Sequence, residues 1–167
     1  MDRATYLIAL GSNRRHLRFG GPAAVLRAAV TAMADEGLKI VRVSRLYATP
    51  ALGPAGRDFV NGAALVECGM RPPELLGLLK RLEHAFGRRA ARRWGPRVLD
   101  LDVILWSEGA WPSRLRWRAA RHLAIPHRAM ATRNFVLKPA RDIAPSWRNP
   151  INGRSVRQLA ARLQSRH

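Results

Sequence analysis

The sequence predicts an α/β (α+β) protein with an antiparallel β-sheet flanked by helices in a three-layer arrangement. Three observations carry this. The chain of 167 residues is 47% hydrophobic and 25% charged, a composition that folds around a core rather than staying disordered. Runs that alternate every second residue are interleaved with segments whose apolar residues recur every third or fourth position. In chain order they give β-α-β-β-α-β with a helical tail, the split βαβ pattern in which strands pair antiparallel and helices cover the sheet. No internal repeat or low-complexity block divides the chain, so residues 1–167 are taken as one domain.

The first strand is expected over residues 5–10, ending at the turn signal Gly11-Ser12-Asn13. A basic loop, 14–21, follows. Pro22 opens a helix with Val25, Leu26, Ala29, Val30 and Met33 on one side, and Gly37 stops it. Residues 38–44 alternate as a second strand. Residues 49–57 hold Pro50, Gly53, Pro54 and Gly56 and are read as a loop. Phe59–Cys68 is a third strand, with Phe59, Asn61, Ala63 and Leu65 on one face. Pro72 or Pro73 opens a second helix, whose Leu75, Leu76, Leu78, Leu79, Leu82 and Phe86 make a broad apolar side. Gly87 closes it. A fourth strand spans 98–106. The segment 107–122 shows no regular period, a short helical piece reaches Thr132, and residues 139–150 read as turns. Ser155 is placed to cap a last amphipathic helix carrying Val156, Leu159, Ala160 and Leu163.

Cys68 is the only cysteine, so an intrachain disulfide and a cysteine-held zinc are both excluded. The apolar run 6–10 is far too short for a signal core or a membrane span, which makes a cytoplasmic location the simplest expectation. The formal charge of +19 fits a basic surface, a nucleic-acid partner or an anionic small substrate. The arginines are spread along the chain, and no recognition helix, zinc-finger spacing or aromatic–basic RNA-reading strand stands out. No nucleic acid and no membrane are therefore expected as partners.

The densest chemistry lies in Arg92-Arg93-Trp94-Gly95-Pro96-Arg97-Val98-Leu99-Asp100-Leu101-Asp102. Alternation sends Asp100 and Asp102 to one face of a strand and Leu99, Leu101 and Val103 to the other. Their Cα atoms are then about 6.5 Å apart, close enough to share one divalent ion or bracket two. Mg²⁺ is commonly held by one or two carboxylates plus substrate phosphates. The spacing alone fits ordinary ion pairs with Arg97 or another arginine equally well. Arg88, Arg89, Arg92, Arg93 and Arg97 crowd the same stretch, and guanidinium forks suit phosphate oxygens. A solvated basic loop is the competing account of these. No Walker-type phosphate loop and no dinucleotide fingerprint is present.

Several separated motifs, in one order, together resemble a known family. They are Leu10-Gly11-Ser12-Asn13, Tyr47-Ala48-Thr49-Pro50-Ala51-Leu52-Gly53, Phe59-Val60-Asn61, Arg93-Trp94-Gly95-Pro96-Arg97 with Leu99-Asp100-Leu101-Asp102, Ile125-Pro126-His127, Arg133-Asn134-Phe135-Val136-Leu137 and Ile143-Ala144-Pro145. The chain resembles the 6-hydroxymethyl-7,8-dihydropterin pyrophosphokinases of folate biosynthesis. The resemblance implies a ferredoxin-like fold, two Mg²⁺ ions, ATP as co-substrate and a monomer. It implies transfer of the β,γ-diphosphate of ATP to the pterin hydroxymethyl oxygen, with release of AMP.

Carried over residue by residue, Asp100 and Asp102 match the metal carboxylates. Arg97 matches a grip on the transferring phosphates, and Arg88 a stabiliser of the reacting complex. Glu83, Trp94, Ile104, His127 and Arg133 match positions on the nucleotide side. Thr49, Pro50, Leu52, Phe59, Asn61 and Phe135 match the pterin pocket, with Trp94 on the closing loop. The sequence departs from the family pattern at Lys80, Ala124, Arg128 and Ala140, and the stretch 107–123 is longer than in compact members.

Overall fold

A computed structural model describes residues 2–49, 58–87 and 98–166. The elements are β1 (Ala4–Ser12), α1 (Pro22–Asp35), β2 (Lys39–Val43), β3 (Tyr47–Thr49), β4 (Phe59–Cys68), α2 (Pro72–Ala85), β5 (Asp100–Trp106), a 3₁₀ turn (Met130–Thr132), α3 (Asn134–Ile143) and α4 (Val156–Gln164). The strands form one sheet in the order β2-β4-β1-β5, and β3 also pairs with β4. Every pairing is antiparallel.

Alternation divides the core into two layers. Tyr6, Ile8 and Leu10 of β1 pack with Ala64 and Val66 of β4, Leu101 and Val103 of β5, and the apolar sides of α1 and α2. Leu7 of β1 faces the other way, with Ala63, Leu105, Val136, Leu137, Ala140 and Ile143, and with Val156, Leu159 and Ala160 of α4. The helices thus cover both faces of the sheet, as the alternation predicts.

The helices begin where the sequence places breakers. α1 and α2 both start with proline in their first turn, where the missing N–H costs nothing. α2 buries Leu75, Leu78, Leu79 and Leu82, each contributing about 1.5–3 kcal/mol of apolar burial. Ser155 and Gln158 form a capping box on α4: Gln158 N–H donates to Ser155 Oγ at 3.1 Å, and Ser155 N–H to Gln158 Oε1 at 2.9 Å.

Two strand details differ from simple alternation. β4 is long enough to pair with β2 through Ala64–Glu67 and with β3 through Phe59–Asn61, so Thr49, the first residue of the expected 49–57 loop, is strand. Ser44 turns the chain between β2 and β3. Its hydroxyl accepts from Ala63 N–H at 2.8 Å and donates to the Arg45 carbonyl at 2.7 Å. Leu46 then crosses close over Gly62, where a Cβ would come within 2.8 Å of Leu46 Cδ2.

The second detail lies in β5. Leu7 faces Leu105 and Ile8 faces Val103, so Ile104 is an extra residue, a β-bulge. Strict alternation would put Trp106 on the face of Asp100 and Asp102. The bulge turns it over, and its ring stacks 6.4 Å from Tyr6 on the α1–α2 side.

The largest revision is α3. Residues 134–143 are helical, where a short apolar run followed by turns was expected. Pro139 sits inside the helix, but Val136, Leu137, Ala140 and Ile143 are buried together on one side. Their burial outweighs the lost hydrogen bond.

Candidate active site

Cross-strand register assembles the site. Asn61 faces Gly11, and Gly11 faces Asp100; in the next row Ala63 faces Ala9, and Ala9 faces Asp102. Partners in a ladder share a face. Asn61, Asp100 and Asp102 therefore lie on the α3 side of the sheet, toward the Ser12 end of β1. Neighbouring strands are about 4.8 Å apart, which puts Asn61 and Asp100 two strands from each other with only Gly11 between. A Cβ at Gly11 would sit 3.1 Å from Asn61 Oδ1 and 4.0 Å from Asp100 Cβ. The glycine keeps the gap open.

On the Asn61 side the row continues into β3. Tyr47 faces Asn61 and Thr49 faces Phe59. Asn61 is 7% exposed, and its amide N–H donates to Thr49 Oγ1 at 3.5 Å. Phe59 and Phe135 are 37% and 43% exposed, high values for aromatic rings and suited to meeting a flat ligand. The Arg133 guanidinium lies 5.6 Å from the centroid of the Phe135 ring.

On the Asp side, the bulge at Ile104 frees a carbonyl that accepts His127 N–H at 2.9 Å. His127 Nδ1 in turn accepts from Ala129 N–H at 3.1 Å. Burial pushes the His127 imidazolium below the ordinary histidine range; the nearby Asp102 carboxylate opposes this shift and Arg133 adds to it. His127, Asp102 and Arg133 thus share one neighbourhood. Ile104 itself is 1% exposed and packs in the α3–α4 core, so its side chain offers no open wall.

Glu83 projects from α2 beneath β5. It is 1% exposed, and its Oε1 accepts Leu101 N–H at 2.9 Å. Leu101 lies between the two aspartates, so this carboxylate braces the strand that presents them. Lys80 Nζ pairs with Glu83 Oε2 at 3.2 Å. Arg128 is also accounted for. Its guanidinium donates to the carbonyls of Trp117 at 2.9 Å and Arg118 at 3.0 Å, and also to that of Ala120. It therefore anchors the long 107–123 excursion. Trp117 Nε1–H adds a bond to the Pro126 carbonyl at 2.7 Å.

Among the described residues, no group of three or more His, Cys, Asp or Glu side chains is placed to hold a metal ion. A pair of carboxylates on one strand face fits Mg²⁺, which completes its shell from water and phosphate. Arg88, Trp94 and Arg97, with Pro50 and Leu52, lie outside the described residues.

A family model described as 7,8-dihydro-6-hydroxymethylpterin-pyrophosphokinase (HPPK) matches residues 7–145, from β1 to the end of α3 and just beyond. The chain belongs to this family. It is an enzyme of the HPPK type, linked to folate synthesis. A 2-amino-4-hydroxy-6-hydroxymethyldihydropteridine pyrophosphokinase of Methylorubrum extorquens is 39% identical over 158 residues, which cover 93% of this chain and 91% of that one. A Synechocystis protein of the same description is 39% identical over 123 residues, covering 74% of this chain and 60% of its own length. The crystal structure of wild-type HPPK-DHPS from Plasmodium falciparum superposes with a TM-score of 0.74 at 14% identity, over 99% of this chain and 42% of that one. That likeness is one of fold.

Within the HPPK frame, Gly11, Thr49, Phe59, Asn61, Asp100 and Asp102, which belong to motifs far apart in the chain, share one sheet face. Three contributors were not legible in the sequence: Gly11 as a spacer, the Glu83 brace, and Tyr47 on β3. Gly11 looked like a strand end because Gly-Ser-Asn is a turn signal. Here β1 runs on to Ser12, and the partners of Gly11 come from strands distant in sequence.

Proposed function

We propose that this HPPK transfers the diphosphate of ATP to the hydroxymethyl oxygen of 6-hydroxymethyl-7,8-dihydropterin and releases AMP. The observation that carries the reading is the row Asn61–Gly11–Asp100. It sets an amide suited to the edge of a pterin beside a carboxylate suited to Mg²⁺, with a gap between them. Thr49, Phe59, Asn61 and Phe135 take the pterin. Asp100 and Asp102 hold Mg²⁺, with His127 and Arg133 on the phosphates. Arg88, Arg97 and Trp94 are assigned to phosphate contact and closure from sequence alone. The antiparallel order β2-β4-β1-β5 supports taking the fold as ferredoxin-like.

The chemistry is positional. Bound Mg²⁺ neutralises phosphate oxygens and orders the polyphosphate. Phe59 and Phe135 fix the plane of the pterin, and Asn61 fixes its rotation. The hydroxymethyl oxygen is thereby aimed at the β-phosphorus. A new O–P bond forms there, the bond from the β-phosphorus to the α,β-bridging oxygen breaks, and that oxygen leaves on AMP. The hydroxyl proton passes to solvent or to the phosphate. Arginine charge over the transferring group stabilises the negative charge that spreads in the transition state.

The test is an assay with ATP, Mg²⁺ and the reduced pterin, resolving adenine nucleotides by chromatography. AMP should appear in equal amount with the pterin diphosphate, and Asp102→Ala should abolish both. ADP as the product, or AMP formation surviving in Asp102→Ala, would overturn the assignment.

A further inference from the structure

Tyr47 stands opposite Asn61 in the β3–β4 ladder, so its side chain rises on the face that carries the site. Its hydroxyl donates to Asp142 Oδ2 at 2.5 Å, and Lys138 Nζ lies 5.0 Å from the centroid of its ring. Lys138 and Asp142 both belong to α3, whose first turn carries Phe135. Positions 135, 138 and 142 are three and then four residues apart, which places them along one side of a helix. One strip of α3 therefore carries Phe135 at one end and grips Tyr47 at the other.

The opposite wall is continuous with Tyr47. Thr49 lies two residues on, hence on the same face of β3. It faces Phe59 and receives the Asn61 amide. The bond between Tyr47 and Asp142 thus ties the wall bearing Thr49, Phe59 and Asn61 to the helix bearing Phe135. β3 is only three residues long and lies at the sheet edge, and so short an edge strand has little else to hold its distance from α3.

We infer that Tyr47, held by Asp142 and Lys138, is a positioning strut that sets the width of the slot between the β3–β4 wall and Phe135, and so tunes affinity for the pterin. This rests on the pterin site proposed above. The strut acts through Thr49, Asn61 and the helix bearing Phe135. By accepting a hydrogen bond from the hydroxyl, the Asp142 carboxylate raises the Tyr47 phenol above the ordinary tyrosine range, so the donor persists at neutral pH. Arg45 and Arg141 also act on this phenol, in the opposite direction.

The test measures dissociation constants for the reduced pterin and for MgATP separately, with thermal midpoints alongside. Tyr47→Phe keeps the ring and its cation contact but loses the hydroxyl. Asp142→Ala removes the acceptor, and Asp142→Asn restores a neutral one. Tyr47→Phe and Asp142→Ala should each weaken pterin binding by roughly fivefold, the scale of one net hydrogen bond. MgATP affinity should stay within about twofold, a spread of well under 1 kcal/mol. Asp142→Asn should recover most of the loss, and the double variant should be no weaker than either single one.

Variants that lose thermal stability while pterin affinity holds would overturn the strut, as would equal losses for pterin and MgATP. Should Asp142→Ala fail to fold, Tyr47→Phe and Lys138→Met give the same comparison. A wild-type chain that binds MgATP but no pterin would overturn the strut and the pterin site together. A wild-type chain that binds pterin, with variants indistinguishable from it, would overturn the strut alone.

Discussion

Gly11 owes its role to the space beside it. A methyl group there would press on Asn61 Oδ1 at 3.1 Å, tighter than ordinary contact, and Asn61 is packed too closely to move freely. Gly11→Ala should raise the KM for pterin by about fivefold, equivalent to about 1 kcal/mol, while kcat falls less; steady-state kinetics with either substrate varied will show it. His127 makes a second prediction at this scale. Burial holds its imidazole neutral in the fold, whereas the unfolded chain takes up a proton as pH falls below 6.5. The unfolded state then binds more protons, so His127 makes stability fall as pH drops through that window and leaves it level above it. Below pH 6.5 the thermal midpoint of wild type should fall relative to that of His127→Asn, and above it the difference between them should be constant.

Strand β5 carries the two carboxylates proposed to hold Mg²⁺, and α2 supports it from below. The Leu101 N–H is bonded to Glu83 inside the core, so removing the acceptor leaves a buried donor unpaired. Glu83→Leu should cost about 1–3 kcal/mol, lowering the thermal midpoint by about 2–4 °C per kcal/mol for a chain of this size. Glu83→Gln retains an acceptor oxygen and should lie between the two. Calorimetry checks both, and equal midpoints for wild type and Glu83→Leu would remove the brace. Asp100→Ala and Asp102→Ala leave that bond intact. They should unfold near the wild-type temperature and yet lose turnover by at least about a thousandfold, the scale of losing metal-assisted charge stabilisation.

At the scale of the whole molecule, 30 lysines and arginines against 11 acidic residues create a positive field. Such a field concentrates an anionic substrate and is screened by salt over about 8–10 Å at physiological ionic strength. The pterin is uncharged at its reacting end, whereas MgATP is an anion. Raising the salt concentration should therefore raise the KM for MgATP by several-fold and leave the KM for pterin nearly constant. A parallel rise in both would mean that the field does not act on substrate encounter. Among the described residues no helix is long and apolar enough to cross a membrane.

Periodicity in the sequence located α1, α2 and α4, the full span of β4 and the facing of Asp100 and Asp102, because those signals are local: proline starts, apolar spacing and a serine cap. α3 was hidden by Pro139, although Val136, Ala140 and Ile143 repeat at helical intervals; a breaker outweighs a short period until the burial of that face is known. The bulge at Ile104, the pairing of β3 with β4 and the bond from Tyr47 to Asp142, 95 positions apart, leave no local trace. By itself, the sequence determined which residues are candidates for the chemistry, since carboxylates, aromatics and an amide stand in motifs that resemble those of one family. Only the tertiary structure decided what lies between and beneath them. A glycine gap, a buried brace and a strut are each defined by partners from other strands and helices, and distance between such partners is set by sheet register and packing rather than by sequence spacing.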